Sequence, residues 1–409
     1  MTVIHRARIV LVAAALLTGC RSHVGASSPD GTWVTSWFGP PQLTEPRNMP
    51  PAPGLAHGTI RQMIHLSLGG DALRLRVSNE YGDAPLRIES LQLARVTSRG
   101  RIDAPSSVPV RFHGDSAILL ERGAFAFSDE VPYAADPLSD VMVTAYLGDV
   151  PSALTGHPGS RTTSFFTPGN HVRDEELAQA TLTEHWYVLT SADVHTLKRA
   201  GAAVVVLGNS IADGRGSGTD RNDRWPDNLA RRLAANEATA GVGVANAGIG
   251  GNTVLRGGLG PTALARFERD VLEQRGVRWL IISEGVNDIG GARGADSSAS
   301  TARQLMDAYR DMITRAHARG IRVYGATVLP FAGSQYGSVE HEAARQAVNR
   351  FIREGGAFDA VIDLDVVMRD PASADRLRPD VDGGDHLHPN ELGYRLMADA
   401  IDLRLFERR

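Results

Sequence analysis

The chain contains one cysteine, Cys20, and one lysine, Lys198. A single thiol excludes an intramolecular disulfide and any metal site built from several cysteines, so the fold must rest on its apolar core. No charge of either sign dominates. The 43 basic and 47 acidic residues give a formal net charge of −4, which supplies no field to attract nucleic acid. Aromatic residues are sparse at 6%, and no apolar run beyond the amino terminus is long enough to span a bilayer as a helix. What is abundant is glycine and proline, 43 and 21 residues, implying many tight turns, as in a loop-rich β region or an α/β enzyme. A length of 409 residues predicts two or three domains.

The amino terminus carries His5, Arg6 and Arg8, then an apolar segment from Ile9 to Leu17, then Leu17-Thr18-Gly19-Cys20. A basic start, a short apolar stretch and small residues before a cleavage point read as a secretory signal. With cysteine at the cut, the segment resembles a bacterial lipoprotein signal; the alternative is a plain cleaved signal with an incidental cysteine. The resemblance implies that Cys20 is lipidated, becomes the new amino terminus and anchors the protein in the cell envelope. Several buried acyl chains hold a protein far better than one. Arg21 rather than an acid after the cysteine implies the outer membrane, on its periplasmic face, where a cell has two membranes. Residues 1–19 are thus expected to be a signal peptide, and 20–31 a tether.

From 32 to 195 the apolar period is two, with turn residues about every ten positions. Ile64–Leu68 and Leu73–Val77, separated by Gly69 and Gly70, predict a hairpin. Further strands are expected at Leu86–Leu93, Val108–Phe112, Ala117–Leu120 and Val141–Leu147. Together they predict an all-β sandwich or jelly roll. The Pro-rich stretch Gly39–Pro53 is expected to be a surface loop.

The texture changes over 196–409. Ala203–Leu207 and Trp279–Ile282 are continuous apolar runs, with weaker ones at Val242–Ala245, Val323–Val328 and Ala360–Leu364, as suits strands buried on both faces of a parallel sheet. Helical patterns lie between them, at Trp225–Ala235, Thr262–Arg275, Thr301–Arg319, Val339–Arg353 and Asn390–Phe406. Five strand–helix units predict a flavodoxin-like, doubly wound α/β domain, in which ligands bind at the carboxyl ends of the strands.

Polar motifs fall at those ends. The first strand leads into Gly208-Asn209-Ser210, the second into Gly248-Ile249-Gly250-Gly251-Asn252, and the third into Gly285-Val286-Asn287-Asp288. Asp385-His386-Leu387-His388 precedes the last helix. A strand-end serine can project its hydroxyl into the crevice. Asp385 and His388, three apart on one loop, can hold an imidazole in one tautomer as a general base with an expected pKa near ~6.5, which the carboxylate would tend to raise. Metal binding by His386 and His388 is a rival that lacks an obvious third ligand. A dinucleotide reading wants Gly-x-Gly-x-x-Gly directly after the first strand, and the sequence there is different.

These four blocks resemble, in order, those of the GDSL (also called SGNH) esterase and lipase family. The resemblance implies Ser210 as nucleophile, His388 as base and Asp385 as its orienting partner. It also implies an oxyanion hole from the backbone N–H groups of Ser210 and Gly251 and the side-chain amide of Asn287. The departure is Asn209, where the family usually has Asp. The whole chain looks like secreted members with an amino-terminal β domain.

The expected function is a serine esterase needing no cofactor, acting on short-chain or acetyl esters, with a small-molecule or glycan ester as partner. The alternatives are a lipase, lysophospholipase or thioesterase of the same fold, or an inert glycan-binding lipoprotein. Loops 215–224 and 290–300 are polar and glycine-rich, unlike an apolar lipase lid. His157, Trp186 and Asn79 are candidate cleft walls, with a buried structural role as the alternative. Only about a dozen residues separate His185–Leu189 from Ala203, too few for independent tumbling.

Overall fold

Strands between Thr32 and Thr196 pair only antiparallel, whereas those from Ala202 to Ile362 form a parallel sheet. The computed structural model describes residues 31–197 and 201–407; Cys20 and the signal lie outside the described residues. The antiparallel strands make one five-stranded and one eight-stranded sheet, with a small three-stranded sheet beside them. Their alternating apolar residues meet in one cluster. Val34, Leu73, Leu75 and Val194 come from the first sheet, and Ile64, Leu91, Leu93 and Val143 from the second.

The expected hairpin at Gly69-Gly70 is not formed. Strand Gly58–His65 belongs to the eight-stranded sheet and Gly70–Ser78 to the five-stranded one. The segment between them is a corner: Leu66 N donates to Ser139 O (2.9 Å) and Ser67 N to Ser36 O (3.0 Å). The glycines serve close approach, because a side chain at Gly69 would meet the Ala135 carbonyl and one at Gly70 the His195 carbonyl. The Pro-rich stretch also differs from expectation. Gly39 to Gln42 are buried, and Gln42–Leu43 pairs with Thr155–Gly156.

The parallel sheet has the order 2-1-3-4-5, from Val242–Gly248 through Ala202–Gly208, Val277–Ser283 and Arg322–Ala326 to Ala360–Ile362. The strand order reverses at Ala202–Gly208, so a crevice opens beyond its carboxyl end. The helix Trp225–Ala235 spans the expected residues, and Ala295–His317 buries Leu305, Tyr309, Met312, Ile313 and Ala316 on one face. The expected helix at 262–275 is α only over Ala263–Phe267 and continues as a π turn, Glu268–Leu272. The last helix stops at Asp399; Asp402 then caps a 3₁₀ turn by accepting from Arg404 N.

The β-rich and α/β regions belong to one unit, Gly31–Arg409. The strand ending at Thr196 leaves five residues before Ala202, fewer than the dozen expected. Val244 N donates to Ser67 Oγ (2.8 Å), Arg275 N to Thr35 Oγ1 (3.0 Å) and Thr35 N to Arg275 O (3.0 Å). Phe38 packs in the α/β core and Ala203 in the β core.

Candidate active site

Ser210 opens a single helical turn, Ser210–Asp213, directly after the first parallel strand. Asn209 caps that turn, its Oδ1 accepting from Ile211 N at 3.0 Å. Gly208 permits the sharp entry, since a side chain there would strike Ala212. Below the turn, fully buried Arg266 binds several strand ends together. Its Nη2 donates to Gly208 O (3.0 Å), its Nη1 to Ala247 O (2.6 Å) and its Nε to Asn252 Oδ1 (3.1 Å).

His388 approaches from the far end of the chain. Its Nε2 lies 2.8 Å from Ser210 Oγ and its Nδ1 2.7 Å from Asp385 Oδ2. Asp385 Oδ1 accepts from the backbone N–H of Leu387 (3.1 Å) and of His388 (2.8 Å), which fixes the loop that carries both residues. Burial raises the Asp385 pKa, but these hydrogen bonds and the imidazole outweigh it and hold the carboxyl below its ordinary value. For His388, burial dominates and lowers the pKa; Asp385 opposes this, while Arg215 and Arg161 add to it. The direction is opposite to the one expected from the Asp385 charge alone. His386 turns away, its Nδ1 lying 2.6 Å from Asp382 Oδ2. Among the described residues no group of three or more His, Cys, Asp or Glu side chains is arranged to hold a metal ion.

Ser210, Gly251, Asn287 and His388 line one cavity of about 540 Å³. Gly251 has φ +68°, a conformation that suits glycine, and its loop is knit by Asn252 Nδ2 donating to Leu259 O and Pro261 O (both 2.8 Å). Asn287 is held from both ends. Its Nδ2 donates to Asn252 O (2.7 Å), and its Oδ1 accepts from Tyr336 Oη (3.1 Å). The amide carries a second hydrogen, so a further donation remains to it.

Residues 206–396 match the family described as the GDSL-like lipase/acylhydrolase family. The chain carries a GDSL-like acylhydrolase domain. Some solved structures resemble part of the chain. One is an acetylxylan esterase from Geobacillus stearothermophilus, 20% identical over 52% of this chain and 97% of that one, with TM-score 0.38. Another is a GDSL-like lipase from Bacteroides thetaiotaomicron, 22% identical over 48% of this chain and 84% of that one, with TM-score 0.35. A search of curated protein sequences finds no match.

Several residues around the GDSL motifs escaped the sequence reading. Glu284 accepts from Asn209 Nδ2 (3.3 Å) and from Arg266 Nη2 (3.5 Å). Burial, offset by Arg266 and reinforced by Asp288, pushes its pKa up to about 8. Asn209 Nδ2 thus gives buried Glu284 a donor that an aspartate at 209 would lack. Asp288 accepts from Val254 N (2.9 Å) and Leu255 N (3.0 Å), tying the third strand's end to the Gly251 loop. The candidate wall residues His157, Trp186 and Asn79 are all buried. Arg47 and Arg161 form the β-region wall in their place. The one local signal for that wall was the density of prolines between Gly39 and Pro53.

Proposed function

We propose that the protein is a serine esterase that removes short acyl groups, acetyl above all, from carbohydrate esters. The observation that carries the reading is the continuous hydrogen-bonded relay from Ser210 Oγ through His388 to Asp385. Ser210 Oγ attacks the ester carbonyl carbon while His388 Nε2 takes its proton. The negative charge that develops on the carbonyl oxygen is met by the N–H groups of Ser210 and Gly251 and by Asn287 Nδ2. Donors fixed before the reaction stabilise that charge without reorganising. The intermediate collapses, the alcohol leaves with the proton from His388, and the acyl group stays on Ser210. Water, deprotonated by His388, then attacks the acyl-enzyme; the acid departs and the Ser210 hydroxyl is restored. Asp385 keeps Nδ1 protonated and stabilises the imidazolium.

The cavity favours a short acyl group and a polar alcohol, since Gln42, Asn48, Arg161 and Gln335 stand among its walls. We read the β region as a jelly-roll sandwich that supplies part of the cleft. Ser210→Ala and His388→Ala should each lower kcat on 4-nitrophenyl acetate by several orders of magnitude with the fold intact, and Asn287→Ala by roughly 10²–10³-fold. Full activity in Ser210→Ala would overturn the mechanism. We place the enzyme in a bacterial envelope, anchored through lipid on Cys20. Cys20→Ser should then move it from the membrane fraction to the soluble one; unchanged fractionation would remove the anchor.

A further inference from the structure

Three arginines line the cavity that holds the candidate nucleophile: Arg47 from a 3₁₀ turn and Arg161 from a loop of the β region, and Arg215 from the loop after the Ser210 turn. Three acidic residues share the same cavity; each has a partner of its own, although Asp213 Oδ2 accepts no hydrogen bond and Asp213 also feels the Arg161 charge. Asp213 Oδ1 is 2.8 Å from His157 Nε2. Asp385 is committed to His388 and its own loop. Glu45 accepts from Gln42 Nε2 (3.1 Å) and Asn48 Nδ2 (2.8 Å).

The arginines are spent differently. Arg161 Nη1 donates to a neutral acceptor, Gly159 O, at 3.0 Å. Its backbone has φ +48°, a left-handed conformation that a non-glycine residue adopts at a cost and that is common where a side chain is aimed at a site. Among the described residues Arg47 has no side-chain hydrogen bond or ion pair. Arg215 Nε stands 3.8 Å from Asp385 Oδ2, with its side chain 63% exposed. A guanidinium presents five N–H donors in a planar fork that matches a carboxylate, so this cavity holds unspent directional donors beside the serine. Arg161 and Arg215 are also near enough to depress the His388 pKa.

We infer that the alcohol part of the ester is an acidic sugar, and that Arg47, Arg161 and Arg215 bind its carboxylate while Ser210 attacks the acyl group. This rests on the esterase reading above. A second cavity of about 440 Å³, which Arg256 lines, shares Gly251, Asn287 and Tyr336 with the first and offers further room for an oligosaccharide.

The test compares kcat/KM of the full chain on acetylated oligogalacturonate and on acetylated xylo-oligosaccharide, with 4-nitrophenyl acetate as the measure of esterase chemistry. The acidic sugar should be favoured by about tenfold or more, the scale of one charge-assisted hydrogen bond. That preference should shrink as salt screens the charges. Arg47→Gln and Arg161→Gln should each cut the acidic-to-neutral ratio, and Arg47→Lys should cut it less. A bound carboxylate near His388 stabilises the imidazolium, so the acidic limb of kcat should lie at higher pH for the acidic substrate than for the neutral one. Equal kcat/KM on both glycans, with 4-nitrophenyl acetate cleaved, would overturn the acidic-sugar assignment alone. So would preferred cleavage of a lysophospholipid, which would make phosphate the anion. Failure to cleave any ester would instead overturn the esterase reading.

Discussion

His157, carried by the β region, sets its Nε2 2.8 Å from Oδ1 of Asp213, three residues beyond Ser210 in the same helical turn. Its Nδ1 lies 3.1 Å from Pro40 O, so both ring nitrogens face acceptors. Burial raises the Asp213 pKa, but His157, Arg161 and Arg224 outweigh it and hold the carboxyl below its ordinary value. Arg224 adds a second tie, donating to Asp213 O (3.0 Å) and to Ser160 O of the β region. Gly159 has to be glycine, because a side chain there would collide with the Asp213 carboxylate. The turn that carries Ser210 is therefore clamped by the β region as well as by its own sheet.

His157→Ala would leave Asp213 buried without its partner. Breaking a buried pair on one side costs about 3–5 kcal/mol, so the melting temperature should fall clearly and kcat on 4-nitrophenyl acetate with it. His157→Gln, which retains a donor toward Asp213, should lose less of both. Parental stability and kcat in His157→Ala would show that the clamp carries no weight.

The acidic limb of kcat/KM should lie below the ordinary imidazole value of ~6.5, because burial and two arginines disfavour the charged form of His388. The imidazolium cannot accept the Ser210 proton. Activity is present above the pKa of His388 and lost as pH falls through it, so a lowered pKa extends activity into acid. Arg215→Gln removes one destabilising cation and should move the limb upward. A limb above ~6.5, or one that moves down in Arg215→Gln, would contradict this balance.

Glu284 gives stability a pH dependence of its own. Its folded pKa of about 8 lies above the ordinary 4.5, so the folded state retains a proton that the unfolded chain releases. The contribution is complete below 4.5 and is lost as pH rises through about 8. Thermal unfolding followed across that window should flatten in Glu284→Gln. It should steepen in Asn209→Asp, which faces Glu284 with a second carboxylate. An identical pH dependence in all three proteins would exclude Glu284 as its source.

A fragment from Lys198 to Arg409 loses Ser67, Thr35 and Phe38 from the margin of the parallel sheet, along with His157 and Arg161 from the site. It should express poorly soluble, or soluble with reduced activity on an acetylated glycan; size-exclusion chromatography and both assays decide. A folded fragment as active as the full chain on 4-nitrophenyl acetate and on the glycan would assign the β region no part in the cleft.

Local pattern along the chain encodes which segments become buried strands. Continuous apolar runs mark Ala203–Leu207 and Trp279–Ile282 as strands buried on both faces, and a parallel sheet then carries whatever follows each run to one edge. That edge is where Ser210, Gly251 and Asn287 stand, but their roles are implied by the resemblance of the four blocks to the GDSL family, while Asp385 and His388 are neighbours on one loop. Tertiary structure decided what depends on partners far apart in the chain. Gly69-Gly70 has the pattern of a hairpin, yet its neighbours Ala135 and His195 make it a corner between sheets. Asn209 reads as a family departure until Glu284, 75 residues away, supplies an acceptor for its amide. Arg47, His157 and Arg161 carry no periodic signal; Arg47 and Arg161 line the Ser210 cavity and His157 meets Asp213 only because the β region folds against the parallel sheet. Periodicity reports which face of an element is buried; which distant element buries it depends on packing and polar pairing over the whole chain.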